Sequence, residues 1–172
     1  MIDLEFVIRF ALEAHAGQTR KYTGMPYITH PLAVMEIVSS VPHSTEMLAA
    51  AVLHDTVEDT DVTIKQISSH FGKTVAEMVK QLTDISKPED GNRATRKEID
   101  RMHLKDAWPD VKTIKLADLI HNSESIFEHD KEFAKIYMKE KELLLEVLTE
   151  GDSSLMECAE AAISNYKYSL SI

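Results

Sequence analysis

The segment Leu48-Ala-Ala-Ala-Val-Leu-His54-Asp55-Thr-Val-Glu58-Asp59 constrains this chain more than any other. From Leu48 to Leu53 it is apolar on every face of a helix, and such a helix belongs inside a core. A core does not accept ionised carboxylates without a compensating cation or hydrogen-bond partners, so the fold must supply something that neutralises Asp55. Helical spacing sets Glu58 one turn beyond His54 and Asp59 one turn beyond Asp55, which gathers four polar groups on one half of a buried helix end. Imidazole and carboxylate together form the donor set of a hard or borderline metal ion, with acids left over for chemistry.

Periodicity predicts helices along the rest of the chain. Leu4, Val7, Ile8, Ala11 and Leu12 recur at three and four, with His15 extending the stripe. Gly17 to Thr29 breaks the pattern at Gly24 and Pro26. A second helix opens near His30-Pro31, where proline is tolerated in the first turn, and continues through Leu32, Met35, Ile37 and Val38. The apolar helix follows Pro42 and is expected to end near Thr56. Thr63-Ile-Lys-Gln66 has the form of a capping box, predicting a short helix that stops near Gly72, and another runs through Val75, Met78, Val79 and Leu82.

Asp84 to Thr95, with Pro88, Gly91 and Asn92, reads as a loop, and a charged helix is expected from about Arg96 to Ala107. Pro109-Asp110 opens a helix with Ile114, Leu116, Ala117, Leu119 and Ile120 on several faces, so it too is expected to be buried. Two amphipathic helices, Asp130 to Leu148 and Ser153 to Tyr168, are separated by Gly151-Asp152. No segment alternates with period two. The expectation is a single all-α domain over residues 1–172, with roughly eight to ten helices.

A chain of 172 residues can bury a core that needs no disulfide, and it has one cysteine, Cys158. Beside Met156, Ala159 and Ala162, Cys158 reads as a small buried hydrophobe in a reducing compartment. Asp3 and Glu5 occupy the first turn, and nowhere do ~18 apolar residues run together. A cytoplasmic protein with no membrane partner is therefore expected. The formal net charge of -10 argues against nucleic acid as a partner, which needs a basic footprint. An anionic ligand would require a local cluster of cations working against the overall field.

Four places hold polar groups that the helical pattern would bury: His30, the His54-Asp55 pair, Glu58-Asp59, and Asp118 in Lys115-Leu-Ala-Asp-Leu-Ile-His-Asn122. Each has an ordinary alternative, since His30 could cap a helix, Asp118 could pair with Lys115, and Asp59-Thr60-Asp61 could begin a loop. Those alternatives must explain separately why acids interrupt two of the most apolar helices. Two imidazoles and two carboxylates without a thiolate suit an octahedral Mn²⁺ or Fe²⁺ ion better than a structural zinc, and Co²⁺ accepts similar ligands.

Three blocks in order, Arg20-Lys-Tyr-Thr-Gly-Met-Pro-Tyr-Ile-Thr-His30-Pro, Leu53-His-Asp-Thr-Val-Glu-Asp-Thr60 and Lys115 to Asn122, resemble the HD-domain hydrolases of the RelA/SpoT homologue superfamily. In size the small alarmone hydrolases are the nearest group. The likeness spans about Leu4 to Asn122. It implies a compact helical bundle that uses Mn²⁺ to remove the 3′-pyrophosphate from guanosine tetra- and pentaphosphate. It further implies metal ligation by His30, His54, Asp55 and Asp118, and a catalytic pair, Glu58 and Asp59, that orients and deprotonates the attacking water. Asn122 matches a nucleotide-contacting position, and Tyr137 resembles a tyrosine that lines the nucleotide pocket, although its stripe with Phe133 and Ile136 suits packing equally. Arg20 and Lys21 could hold the base or the phosphates. Relatives that also synthesise the nucleotide carry a further domain for which this chain has no room, so hydrolysis alone is the implication.

Two other readings compete with this one. One keeps the metal and changes the substrate, to an adenosine alarmone or the 2′-phosphate of NADPH. The other is a regulatory or antitoxin-like binding domain without turnover, against which the intact Glu58 and Asp59 speak. The apolar stripes of the last two helices, with Met138 and Met156, are compatible with a homodimer. Arg93, Arg96, Lys97 and Arg101 match no block, and most of them read as a solvated charged face.

Overall fold

The computed structural model describes residues 2–170, with side chains through residue 168. It is all-α, as expected; among the described residues there is no strand, only an isolated antiparallel bridge between Thr19 and Pro26. The chain forms two compact units, Met1–Thr83 and Asp84–Ile172.

In the first unit α1 spans Leu4–Ala14, α2 Thr29–Ser39, α3 Thr45–Leu53, α4 Thr56–Asp59, α5 Ile64–Phe71 and α6 Lys73–Leu82. α3 is the centre, packed against α1, α2 and α6, with Met47 and every residue from Ala49 to Leu53 buried. Its run of alanines lets the neighbouring backbones approach closely. Ser44 caps its start by accepting the Met47 N–H at 3.2 Å. α5 opens with the expected capping box, Thr63 and Gln66 bonding each other's backbone N–H, and closes at Gly72, whose φ of 92° is a conformation that suits glycine.

α3 ends at Leu53, earlier than the periodicity suggests, because two side chains take its last carbonyls. His54 Nδ1–H donates to Ala51 O at 2.8 Å and the Thr56 hydroxyl donates to Leu53 O at 2.7 Å. A continuing helix would have used both carbonyls for backbone donors four residues on. His54 and Asp55 therefore stand at a helix junction and not within a helix.

In the second unit a 3-10 turn at Pro88–Asp90 leads to α7 at Arg93–Lys105, then α8 at Pro109–His129, α9 at Lys131–Leu145 and α10 at Ser153–Leu170. α7 starts at Arg93, inside the expected loop, because the Asn92 side chain accepts the Thr95 N–H at 3.0 Å and caps it. α8 packs against α9 and α10. Gly151 lets the chain press onto α8: a Cβ there would lie 2.8 Å from Leu116 Cδ1 and 3.1 Å from the Thr113 nitrogen. Cys158 is exposed, which corrects the buried reading. The buried stripe of α10 is Leu155, Ala159, Ile163 and Tyr166, and Cys158 lies one residue, or about 100°, off it.

Lys141 on α9 places its Nζ 4.8 Å over the Tyr137 ring, and burial, with Lys115 adding repulsion, lowers its pKa to about 8. A lysine depressed in this way holds its proton less tightly folded than unfolded. The resulting loss of stability is full below the folded value and relieved as pH rises from there through about 10.4, the unfolded value. Lys141→Met is therefore expected to gain about 1–3 kcal/mol at pH 7 and little at pH 10.5, which urea unfolding at the two pH values measures.

Candidate metal centre and its surroundings

The first unit brings together His30, His54 and Asp55, one ligand atom from each lying within 4.8 Å of the others. His30 stands in the first turn of α2 and is 1% exposed; His54, at the C-cap of α3, is 3% exposed. Their rings approach edge to face at 5.1 Å. Asp55 Oδ2 lies 3.1 Å from His54 Nε2 and 3.5 Å from His30 Nε2.

The bond from His54 to Ala51 O fixes its tautomer. A carbonyl only accepts, so Nδ1 carries the proton, and in a neutral ring Nε2 presents a lone pair toward Asp55. Two acceptors so close repel unless a cation or an added proton lies between them. For an octahedral ion with bonds of about 2.1 Å, cis donors stand about 3 Å apart, so the His54–Asp55 spacing suits a shared divalent cation. A backbone carbonyl orienting a ligating imidazole is the usual support for such a site.

Glu58 and Asp59 occupy the short α4 beside this cluster, and both are exposed. The Tyr27 hydroxyl lies 2.7 Å from Asp55 Oδ2 and 3.0 Å from Asp59 Oδ2. Although the residue as a whole is exposed, desolvation of its carboxyl group, followed by the charge of Asp55, pushes Asp59 above the usual carboxylate range. Burial and the Asp55 charge also push the Tyr27 hydroxyl well above the ordinary phenol value, so it is a donor at neutral pH.

The loop before α2 is a tight turn. Arg20 N–H donates to Met25 O at 2.8 Å, Gly24 N–H to Arg20 O at 3.0 Å, and Gly24 takes φ +69°. The turn puts the Arg20 guanidinium 5.8 Å from the Tyr27 ring centroid, while Lys21 lies 4.6 Å over Tyr22. Of the two cations expected at the site, Arg20 thus faces the tyrosine that bridges the acids, and Lys21 engages its neighbour.

Asp118, Asn122 and Tyr137 belong to the second unit. Asp118 is buried on α8, with Lys115 Nζ 3.0 Å from Oδ2 and Asn122 Nδ2 donating to Oδ1 at 2.6 Å. The ion pair with Lys115 is thus present, together with a contact from Asn122 that spacing alone allowed. Tyr137 is buried beside Phe133, their centroids 6.1 Å apart, and burial raises its hydroxyl above the ordinary phenol range. Tyr137 is packed, but Ile136, expected on the same stripe, is 53% exposed.

Arg93 pairs with Glu140 through two hydrogen bonds of 2.7 and 2.9 Å, and Lys97 with Asp84 at 2.6 Å. These cations knit the second unit together. Tyr27 and Gln18 were not picked out by spacing. For Tyr27 a signal existed, since it stands three residues before His30, where one turn brings their backbones together at 2.9 Å.

The chain is 40% identical over 118 residues to a guanosine-3′,5′-bis(diphosphate) 3′-pyrophosphohydrolase of Danio rerio, covering 67% of this chain and 64% of that one. It is 39% identical over 120 residues to the bifunctional (p)ppGpp synthase/hydrolase SpoT of Escherichia coli (strain K12), covering 67% of this chain and 17% of that one. The chain thus spans less than two thirds of these curated relatives. The fold superposes with a TM-score of 0.85 on a solved metazoan orthologue of SpoT, at 24% identity and covering 94% of this chain and 93% of that one. No helix among the described residues is long and apolar enough to cross a membrane. The HD-domain family model matches residues 8–144, a stretch that carries the clustered imidazoles and carboxylate together with the acids beside them, and by that match the chain belongs to the HD-domain family.

Proposed function

We propose that this chain is a Mn²⁺-dependent hydrolase that removes the 3′-pyrophosphate from guanosine tetra- or pentaphosphate, releasing GDP or GTP. The observation that carries the reading is the convergence of His30, His54 and Asp55 on one point beside the acid pair of α4. The names of the Danio rerio and Escherichia coli relatives support the choice of substrate. His30, His54 and Asp55 would hold the ion. Asp118 is assigned as a fourth ligand from the sequence blocks alone.

When bound, the ion supplies Lewis acidity, lowering the pKa of a water and polarising the phosphoryl group. Glu58 and Asp59 orient the attacking water and take its proton. The water oxygen bonds to the proximal phosphorus of the 3′-pyrophosphate, the bond from that phosphorus to the ribose 3′ oxygen breaks, and the 3′ oxygen leaves as a hydroxyl, taking up a proton that balances the one the acid pair removed from the water. Arg20 and Lys21 are assigned to the base or the phosphates, and Asn122 and Tyr137 to the nucleotide.

Incubation with guanosine tetraphosphate and Mn²⁺ is expected to release pyrophosphate. EDTA should stop the reaction and added Mn²⁺ restore it. Protein that binds Mn²⁺ yet releases no pyrophosphate would overturn the reading. A panel adding an adenosine alarmone and NADPH, scored for pyrophosphate against orthophosphate, distinguishes the competing substrates.

A further inference from the structure

α4 is a single turn, and a turn of that length has too few internal hydrogen bonds to hold a side chain in one place by itself. Asp59, at its end, is instead held from outside at two points. Gln18 Nε2 donates to its carbonyl at 2.8 Å, and the Tyr27 hydroxyl lies 3.0 Å from its Oδ2. Those two residues are joined through His15. Its Nδ1–H donates to Gln18 Oε1 at 2.8 Å, and its ring lies over the Tyr27 ring at 4.7 Å with the planes 32° apart.

The contacts close on themselves, from His15 to Gln18 to Asp59 to Tyr27 and back to His15. The edge of the ring meets His30 at 6.0 Å and 80°, so the phenol is fixed against the metal-site imidazole as well. Its oxygen also reaches Asp55 Oδ2 at 2.7 Å. One phenolic oxygen is therefore the common reference for a carboxylate of the ion site and a carboxylate of the acid pair, four residues apart.

We infer that Tyr27 is a positioning residue for the hydrolysis, its hydroxyl setting the Asp59 carboxylate against Asp55 while His15 and Gln18 lock the closed ring of contacts. The inference rests on the proposed pyrophosphohydrolase reading and adds to it a residue with no direct role at phosphorus. A phenol carries one proton, so it donates to one carboxylate at a time and can accept from a protonated second. Both acids lie within reach of the same oxygen, and whichever one receives its proton cannot swing away without breaking a charge-assisted hydrogen bond.

Tyr27→Phe keeps the ring and its stack on His15 and removes only the hydroxyl. For a group that supports a metal ligand and an acid from behind, a loss of about 10- to 100-fold in kcat is expected, with KM for guanosine tetraphosphate within about twofold. Mn²⁺ affinity, followed by electron paramagnetic resonance without nucleotide, should fall about tenfold, and the melting temperature of the metal-free protein should stay within about 2 °C. Gln18→Met, which touches Asp59 but not Asp55, should lower kcat and leave Mn²⁺ affinity unchanged. Combined with Tyr27→Phe it should cost less than the product of the two single losses, since both act through Asp59.

Wild-type kcat in Tyr27→Phe, a drop in kcat matched by a drop in metal-free melting temperature, or fully multiplicative losses would each overturn the inference. Failure of the parent reading shows separately, as absence of pyrophosphate release by the wild-type protein. In that event an unchanged Mn²⁺ affinity in Tyr27→Phe would still refute the role of the hydroxyl at Asp55, and a tenfold loss would still support it.

Discussion

Asp55→Asn is expected to abolish divalent-cation binding and turnover while leaving the metal-free protein at least as stable as the parent. Asp55 Oδ2 is the atom nearest both imidazole Nε2 atoms, at 3.1 and 3.5 Å, and the Nδ1 bond to Ala51 O makes His54 Nε2 an acceptor. An amide nitrogen at the place of Oδ2 would donate to His54 Nε2 and turn an unfavourable contact into a hydrogen bond. The Tyr27 hydroxyl would keep Asp59 Oδ2 as its acceptor. The same nitrogen cannot ligate, so cation affinity should fall by at least about a hundredfold. At a Mn²⁺ concentration of about 100 times Kd the parent gains about 2.7 kcal/mol, a rise of about 5–10 °C in melting temperature for a chain of this size. The variant should keep at most about 0.4 kcal/mol of that gain, a rise of no more than about 2 °C. Thermal melts with and without Mn²⁺ measure both halves, and a variant whose melting temperature climbs with Mn²⁺ as far as the parent's would remove Asp55 from the ligand set.

Glu58→Gln is the second large effect and has the opposite signature, with metal retained and chemistry lost. Glu58 lies outside the three-residue ligand cluster, on α4 beside Asp59, and its side chain is exposed, so an isosteric amide there is expected to leave the cluster in place. If it shares with Asp59 the removal of the water proton, replacing it with a neutral amide should cost about 10²- to 10⁴-fold in kcat. Bound Mn²⁺ per chain, measured by elemental analysis, should not change. A variant with full activity would move the base to Asp59 alone. One that lost its metal would make Glu58 a ligand, and either outcome rewrites the assignment of the acid pair.

Much of the fold was legible because burial leaves a periodic trace. Of the first stripe Val7, Ala11 and His15 are buried while Leu12 is 51% exposed, and the box at Thr63 and Gln66 and the stop at Gly72 are local features that the structure repeats. Two boundaries and one side chain were misplaced, each by a detail of a single residue. At Leu53, at Arg93 and again at Cys158 the outcome turned on a side-chain cap or a helix rotation of a single residue, and periodicity does not resolve either. The ion site was half legible: acids and imidazoles in the most apolar segment demand a counter-charge wherever they fold.

The sequence by itself determined that α3 would be buried, that His54 and Asp55 would stand at its end, and that Glu58 and Asp59 would follow within a turn, since these depend on helical spacing and solvation alone. Only the tertiary structure decided which atoms meet. His54 Nε2 faces Asp55 because Ala51 O takes the other nitrogen, and the Tyr27 oxygen reaches across 28 positions of sequence to one acid and 32 to the other. Hydrogen bonds are directional to within tens of degrees, and a spacing rule that gives only the face of a helix cannot fix the angle at which a distant turn presents a hydroxyl.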